Sequence, residues 1–215
     1  MLGKIITVAQ QKGGAGKTTL AAHLAVAWRE AGHSVAVVDI DPQGSLSRWF
    51  QVRNDVTGGD PGLTHAQITG WRTQREVERL ALEHSVVVID SPPHAETEAR
   101  IAVRAAALVV VPVQPSPMDL WATQPTLDLC RQEKVPLMLV LNRVPPRAKL
   151  ADALIDKIHE LSDPPYVGIA VAQLGNRIGY AGAMLEGRTV TEMARRTRAA
   201  DEVVELATEI YQRAR

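Results

Sequence analysis

Five short apolar runs, rich in β-branched residues, recur along the first two thirds of the chain. They cover residues 4–10, 34–39, 85–90, 107–113 and 136–141. The runs show little alternation of apolar and polar positions, which is typical of strands buried on both faces of a sheet. The segments between them have helical periodicity and are long enough to serve as crossover helices. The pattern predicts an α/β fold, with a mostly parallel twisted sheet flanked by helices on both faces.

Helical periodicity is clearest over residues 18–31, which carry apolar side chains at helical spacing. Gly32 follows this segment, as expected for a residue that ends a helix in the left-handed conformation. Further helices are predicted over 74–84, 118–132 and 200–214. In contrast, the glycine-rich segment 54–70 is predicted to be a long surface connection.

Composition excludes several classes of function. The 24 Lys and Arg residues balance 24 Asp and Glu residues, so the formal net charge of zero argues against a general polyanion-binding protein. Cys130 is the single cysteine, which rules out an internal disulfide and favours a reducing cytosol. The longest apolar runs fall far short of the ~20 residues that a membrane helix needs. We therefore expect a cytoplasmic protein.

The strongest chemical motif is QKGGAGKTT at residues 11–19, which follows the first predicted strand and opens a helix. Glycines let the backbone curl so that successive N–H groups point at phosphate oxygens, and the positive end of the helix adds attraction. In such a loop Lys17 reaches the β- and γ-phosphates and the Thr18 hydroxyl binds Mg²⁺. The motif predicts a phosphate-binding set of Gly13, Gly14, Ala15, Gly16, Lys17, Thr18 and Thr19.

This loop departs from the general pattern in two ways. Gln11 stands where the pattern requires glycine, and a second lysine, Lys12, precedes the glycines. The sequence thereby resembles the deviant Walker A motif of the ParA/MinD family of ATPases. The resemblance implies a single P-loop ATPase domain of the SIMIBI type over residues 1–215, with ATP and Mg²⁺ as cofactors. It also implies that Lys12 reaches across an ATP-dependent homodimer to the nucleotide of the partner subunit.

Two of the predicted strands end in aspartates. Asp39 and Asp41 would share one face at the carboxyl edge of the sheet if the strand continued, although DPQG is also an ordinary turn sequence. Asp90 ends a strand as in a Walker B segment and would hold Mg²⁺ through a water. By resemblance to the family's switch I, Asp41 activates the attacking water and Asp39 supports the magnesium shell. Lys12, Lys17 and Asp41 are thus the expected catalytic residues.

Three other positions are less specific. The amide of Asn142, at the end of the fifth strand and followed by Arg143, matches the adenine edge, as it does in the family; a simple turn toward the next prolines is the alternative. His94 either senses the γ-phosphate or caps a helix, and we favour the cap. The proline-rich stretch around Asp119 resembles small ParA proteins, and its role is left open.

The branch that the sequence resembles is the short ParA-type partition ATPases. A cysteine pair, as in nitrogenase iron protein relatives, is absent, and segment 200–214 is too acidic to be a MinD-type membrane helix. The first strand begins at about Lys4, without the helix-turn-helix domain of larger ParA proteins. The resemblance implies slow ATP hydrolysis stimulated by a ParB-like or cargo-adaptor protein. A MinD-like spatial regulator and a metabolic ATP-dependent ligase are the alternatives.

Partition ATPases of this kind bind DNA without sequence preference when ATP joins them into dimers. Segment 171–198 holds five arginines against two glutamates, whereas 199–215 holds two arginines against four acidic residues. Such local basic excess is the electrostatic feature that attracts phosphates. We expect nonspecific DNA contacts, a nucleoid-associated location, and no membrane partner. The expected DNA-binding residues are Arg177, Arg188, Arg195, Arg196 and Arg198.

Overall fold

The computed structural model describes residues 2–93, 96–146 and 149–214. Within these residues the strands are β1 (Lys4–Val8), β2 (Val35–Asp39), β3 (Thr64–Gln67), β4 (Val86–Asp90), β5 (Leu108–Val113), β6 (Leu137–Leu141) and β7 (Val167–Ile169). They form a seven-stranded sheet in the order β3-β2-β4-β1-β5-β6-β7. Every pair of neighbouring strands is parallel, which confirms the predicted α/β class.

Helices connect the strands on both faces of the sheet. They are α1 (Lys17–Glu30), α2 (Ser45–Val56), α3 (Thr73–Glu83), α4 (Glu96–Ala105), α5 (Pro117–Glu133), α6 (Lys149–His159), α7 (Ile178–Leu185), α8 (Val190–Met193) and α9 (Arg198–Arg213). None of the helices in the described part of the chain combines the length and the apolar character needed to cross a membrane. Gly32 follows α1 with φ of 90°, the left-handed conformation expected for it.

Alternate positions along the strands face two different cores. On one face, Ile6, Val88 and Val110 pack in a cluster with residues of α1, α2 and α7–α9. On the other face, residues such as Ile89 and Leu139 pack against α3–α6. Since both faces are covered by helices, the central strands carry apolar residues at every position, which explains the continuous runs in the sequence.

The segment 54–70 corrects the sequence prediction. Instead of a long surface connection, it contains the end of α2 and the strand β3, which pairs with β2 through partners such as Ala36 and Thr64. β3 reads THAQ and lies at the edge of the sheet, with its residues half-buried or exposed. An edge strand of this kind has no apolar run to reveal it. β7, at the opposite edge, has only three residues and also escaped prediction.

A buried arginine joins α2 to the segment around α8. Arg53 is only 1% exposed, and its guanidinium donates to both carboxylate oxygens of Glu192 at 2.8 and 2.9 Å. It also donates to the carbonyl oxygens of Pro61 at 2.9 Å and Gly187 at 3.2 Å, and it lies over the ring of Trp49. Planar guanidinium geometry suits such bidentate pairing. The residue thus fixes three segments that are distant in sequence.

We expect Arg53→Ala to lower the free energy of unfolding by roughly 3–5 kcal/mol, because it leaves the Glu192 carboxylate without its buried partner. Chemical denaturation followed by circular dichroism measures this. Arg79→Ala is the matched control, since Arg79 pairs with Glu76 and Glu83 on the exposed side of α3 and should change stability little. Equal effects of the two substitutions would contradict a stabilising role for Arg53.

Candidate nucleotide site

The candidate site lies where the central parallel strands end. Asp90 of β4 is in register with Val8 of β1 and with Asp39 of β2, so the P-loop and both aspartates meet at one edge of the sheet. A cleft of about 610 Å³ opens there. Its walls come from the P-loop, the loop before α2, α2 itself and α7. Of the predicted phosphate-binding residues, those lining the cleft are Gly13, Gly14, Gly16, Lys17, Thr18 and Thr19.

Asn142 holds the P-loop in place. Its Nδ2 donates to the carbonyl oxygen of Ala15 at 2.8 Å, and its Oδ1 accepts from the backbone N–H of Arg143 at 2.9 Å. Gly16 has φ of 94°, and a Cβ there would lie 2.7 Å from the same Nδ2, so both backbone conformation and packing require glycine. The Asn142 amide therefore makes contacts within the chain, in addition to the contact with adenine that the sequence predicted.

The two lysines of the loop have different surroundings. Lys17 is buried beneath the loop, with Nζ 3.4 Å from the carbonyl oxygen of Lys12. Burial lowers the pKa of the Lys17 ammonium, while the nearby carboxylates of Asp90 and Asp41 oppose this shift. Lys12 instead points to α5 and forms an ion pair with Asp119 of the same chain. Only Lys17 therefore faces the acidic end of the cleft.

Asp90 has the features of a metal-binding carboxylate. Its Oδ2 accepts from the Thr18 hydroxyl at 2.6 Å, whereas its Oδ1 is buried with no hydrogen-bond partner among the described residues. Burial raises the pKa of Asp90 to about 7, and Asp39 and Asp41 add to the rise, while the Thr18 hydrogen bond and Lys17 oppose it. A cation would relieve both the unpaired oxygen and the charge repulsion.

The donors at this point suit Mg²⁺. The described residues contain no group of three His, Cys, Asp or Glu side chains arranged to hold a metal by themselves. Mg²⁺ commonly binds through one or two protein oxygen ligands together with substrate phosphates and water. The Thr18 hydroxyl and the Asp90 carboxylate are such ligands, beside a loop whose glycines expose backbone N–H groups to phosphates.

The sequence predicted that Asp39 and Asp41 share one face of the sheet if the strand continued. In the structure they do not. Asp39 is fully buried, and its carboxylate accepts from the Asp41 N–H at 3.1 Å and from the N–H and hydroxyl of Ser47 at 2.8 Å. Asp41 lines the cleft, because β2 ends at Asp39 and the chain turns at Asp41, whose Oδ1 accepts from the Gln43 N–H at 2.9 Å. Asp39 therefore positions the loop and the start of α2, and its support of the magnesium shell stays a prediction.

A smaller cavity of about 70 Å³ shares Gly16, Thr19 and Arg143 with the cleft, and Asn142 lines it as well. Arg143 has φ of 52°, which is uncommon for a residue other than glycine and marks a backbone conformation imposed by its surroundings. His94, the remaining candidate near the phosphates, lies outside the described residues.

Sequence reasoning missed two residues here. Arg48 of α2 lines the large cleft, and no motif marks it. His23 of α1 lines the smaller cavity; it is 1% exposed, its Nδ1 donates to the Thr19 carbonyl oxygen at 2.8 Å, and its Nε2 has no partner among the described residues. A lone histidine in the otherwise apolar face of α1 was the only sequence sign of this position.

The predicted DNA-binding arginines have separate environments. Arg177 and Arg198 both donate to Glu202 of α9, at 2.6 and 3.3 Å, and Arg195 pairs with Glu30 of α1 at 3.2 Å. Arg188 and Arg196 are exposed and have no ion pair within residues 2–93, 96–146 and 149–214. The local basic excess is therefore partly neutralised by Glu202 of α9 and Glu30 of α1.

His23 should make stability depend on pH. Burial lowers its pKa from 6.5 to about 4, so between these pH values the unfolded chain binds a proton that the folded chain does not. The contribution of neutral His23 to the free energy of unfolding is complete above pH 6.5. It decreases as the pH is lowered toward 4, by an amount on the order of 3 kcal/mol.

The test compares His23→Asn, which keeps a donor near the Thr19 carbonyl, with the unaltered chain in denaturation at pH 7 and pH 4.5. We expect the unaltered chain to lose more stability on acidification than the variant. His159→Asn, at the exposed end of α6, serves as the control and should behave like the unaltered chain. The prediction fails if His23→Asn leaves the pH dependence unchanged.

Comparison with known proteins agrees with this geometry. The family model "CobQ/CobB/MinD/ParA nucleotide binding domain" matches residues 6–190. The chain is 29% identical to maintenance of carboxysome distribution protein A of Halothiobacillus neapolitanus over 95% of each chain. It is 26% identical to chromosome partitioning protein ParA of Myxococcus xanthus over 73% of this chain and 71% of that one.

A solved structure with the same fold is the septum site-determining protein MinD of Pyrococcus horikoshii OT3, complexed with Mg-ADP. The two superpose with a TM-score of 0.77 at 20% identity, covering 97% of this chain and 96% of that chain. The match of the family model spans both the P-loop and the strands that carry Asp39 and Asp90. The chain therefore belongs to the CobQ/CobB/MinD/ParA nucleotide-binding domain family, and it is an ATPase of the ParA/MinD type.

Proposed function

We propose that this chain is a Mg²⁺-dependent ATPase of the ParA partition type, whose ATP-bound homodimer binds nonspecific DNA and positions a cargo. The observation that carries the proposal is that Lys17, Thr18 and Asp41 line one cleft at the end of the sheet, with Asp90 hydrogen-bonded to Thr18 beside it. The names of the two relatives, one concerned with carboxysome distribution and the other with chromosome partitioning, support positioning of a protein assembly or a chromosome.

Several residues in and beside the cleft have a proposed task. The P-loop N–H groups and Lys17 bind the β- and γ-phosphates of ATP. Thr18 and Asp90 would hold Mg²⁺, which would supply positive charge against the phosphates during hydrolysis. Asp41 lines the cleft and orients the attacking water. Asn142 fixes the loop against which the phosphates lie.

The smaller cavity is the proposed position of the adenine base. It lies between α1, the segment after β6 and α7, and its lining includes Asn142, Arg143 and Tyr180. One Asn142 Nδ2–H donates to Ala15. The other is available to a base nitrogen.

DNA binding is proposed for the exposed arginines on either side of α8. Arg188 precedes this helix, and Arg195 and Arg196 follow it. Because Arg188 and Arg196 have no ion pair among the described residues, they need no carboxylate to be displaced before they bind phosphate. Arg177, Arg195 and Arg198 would have to exchange a carboxylate partner. The protein would then occupy the nucleoid in its ATP-bound state and leave it after hydrolysis stimulated by a ParB-like or cargo-adaptor protein.

Asp41→Ala should uncouple ATP binding from hydrolysis. We expect the variant to bind ATP and Mg²⁺, to lose at least about tenfold of its hydrolysis rate, and to retain random duplex DNA on a filter in a salt-sensitive manner. Lys17→Ala is the control, because it removes a phosphate contact and should abolish retention.

Failure of the Asp41→Ala variant to retain duplex DNA with ATP would refute the DNA-binding proposal. Two other outcomes would favour the alternative functions. Sedimentation with anionic liposomes in the presence of ATP would indicate a MinD-like spatial regulator. Stimulation of ATP consumption by small carboxylic acids, but not by DNA, would indicate a metabolic ligase.

Arg188→Ala and Arg196→Ala should each weaken binding to DNA, and the loss should be the same for every DNA sequence. If each residue contacts one phosphate, the slope of log K against log salt concentration should decrease by about 0.9 per substitution. Fluorescence anisotropy with a labelled random duplex at several salt concentrations measures the slope. Arg79→Ala, on α3 at the other face of the sheet, removes the same charge and should leave the slope unchanged. An unaltered slope in the α8-flanking variants would exclude these arginines as phosphate contacts.

A further inference from the structure

Lys12 is held within its own chain by a buried carboxylate. Its Nζ forms an ion pair with Oδ2 of Asp119, in the first turn of α5. The Asp119 side chain is fully buried, whereas the side chain of Lys12 is 34% exposed. The ammonium group is therefore drawn toward the interior of the molecule at the base of the P-loop.

The carboxylate of Asp119 has few other partners. The Ser116 hydroxyl donates to Oδ2 at 2.6 Å, and the Gln114 N–H lies 3.4 Å from Oδ1. Among the described residues Lys12 is the cation that pairs with Asp119. Without Lys12, the donors left to this carboxylate within the described residues are neutral, and the loss of a buried carboxylate's cation is costly. Withdrawal of Lys12 is therefore opposed by the desolvated charge it leaves behind.

Further contacts join the P-loop to the segment that carries Asp119. Gln114 Nε2 donates to the carbonyl oxygen of Gly14 at 3.2 Å, and Gln10 Nε2 donates to the Thr123 hydroxyl at 3.0 Å. These contacts lie on both sides of Lys12 in the sequence. The loop before α5 and the P-loop are thus held together, and Asp119 stays within reach of Lys12.

We infer that Asp119 is a positioning residue that holds Lys12 in its own subunit and thereby opposes the ATP-bound homodimer until the lysine is released. This inference rests on the proposed ATP-bound homodimer, and on the sequence-based prediction that Lys12 contacts the nucleotide of a second copy of the chain. The Asp119 carboxylate is fully buried in its own subunit, so the Lys12 ammonium would have to leave it to bind a phosphate held by another subunit. The ion pair with Asp119 therefore competes with the contact between subunits.

The first test uses the nucleotide-free chain and does not depend on dimer formation. Lysines are acylated with a water-soluble anhydride, and the extent of modification at Lys12 is measured by mass spectrometry relative to Lys157 on α6. Asp119→Asn keeps the shape of the side chain but removes its charge, and it should increase the relative reactivity of Lys12 several-fold. Unchanged reactivity would overturn the inference whatever the state of the proposed function.

The second test measures dimerisation by analytical ultracentrifugation with ATP and Mg²⁺, in chains that carry Asp41→Ala to prevent turnover. Adding Asp119→Asn should lower the dimer dissociation constant at least about tenfold, which corresponds to about 1.4 kcal/mol. The same substitution should have no effect when Lys12→Ala is also present. Weaker dimerisation with Asp119→Asn would show that Asp119 directs Lys12 to the partner subunit, and would overturn the inference.

Ser116→Ala is the structural control. It removes the hydroxyl that accepts from the Asp119 N–H and donates to its carboxylate, but it leaves the ion pair with Lys12. This variant should lower the melting temperature without raising Lys12 reactivity or tightening the dimer. If Ser116→Ala reproduces the effects of Asp119→Asn, those effects are structural and the inference fails.

The two tests also separate this inference from the proposed function. If the Asp41→Ala chain forms no dimer but Asp119→Asn increases the reactivity of Lys12, the proposed homodimer is refuted. The ion pair that holds Lys12 within its own subunit would then still be supported.

Discussion

The in-register ending of three parallel strands is the constraint on which the rest of the site depends. β1, β4 and β2 stop at Val8, Asp90 and Asp39, which are direct neighbours across the sheet. The helices on both faces that stabilise these strands also exclude water from the aspartates. The same burial that builds the core thus raises the pKa of Asp90 to about 7 and leaves one of its oxygens without a partner in the described part of the chain. Core formation and cation affinity are consequences of one arrangement.

The sequence predicted most of the fold for a physical reason. Central parallel strands are buried on both faces, so all five predicted runs are confirmed, whereas β3 and β7 lie at the edges and carry polar or very short sequences. The P-loop was recognisable because its glycines and lysines have fixed local spacing. Contacts between distant segments gave no such signal. Lys12 and Asp119 are 107 positions apart, and Asp39 and Asp41 separate because the chain turns immediately after β2.

The net charge of zero conceals a marked internal organisation. Glu202 receives hydrogen bonds from Arg177, Arg198 and the Tyr180 hydroxyl, and Glu192 is occupied by Arg53. These glutamates are therefore structural, and simple counting of charges along the chain overestimated both the free arginines and the free acids. The surface potential is determined by the charges that remain after such pairs are removed.

The hydrogen bonds of Arg53 restrict how α2 can move. Its acceptors belong to the loop before β3 and to the segment from Gly187 to Glu192, while its own helix begins just after the turn at Asp41. A displacement of α2 would have to break or carry along all of these bonds. The helix that lines the cleft and the segment that leads to the exposed arginines are therefore joined through one buried guanidinium, so a shift of either would have to be shared by the other or break these bonds.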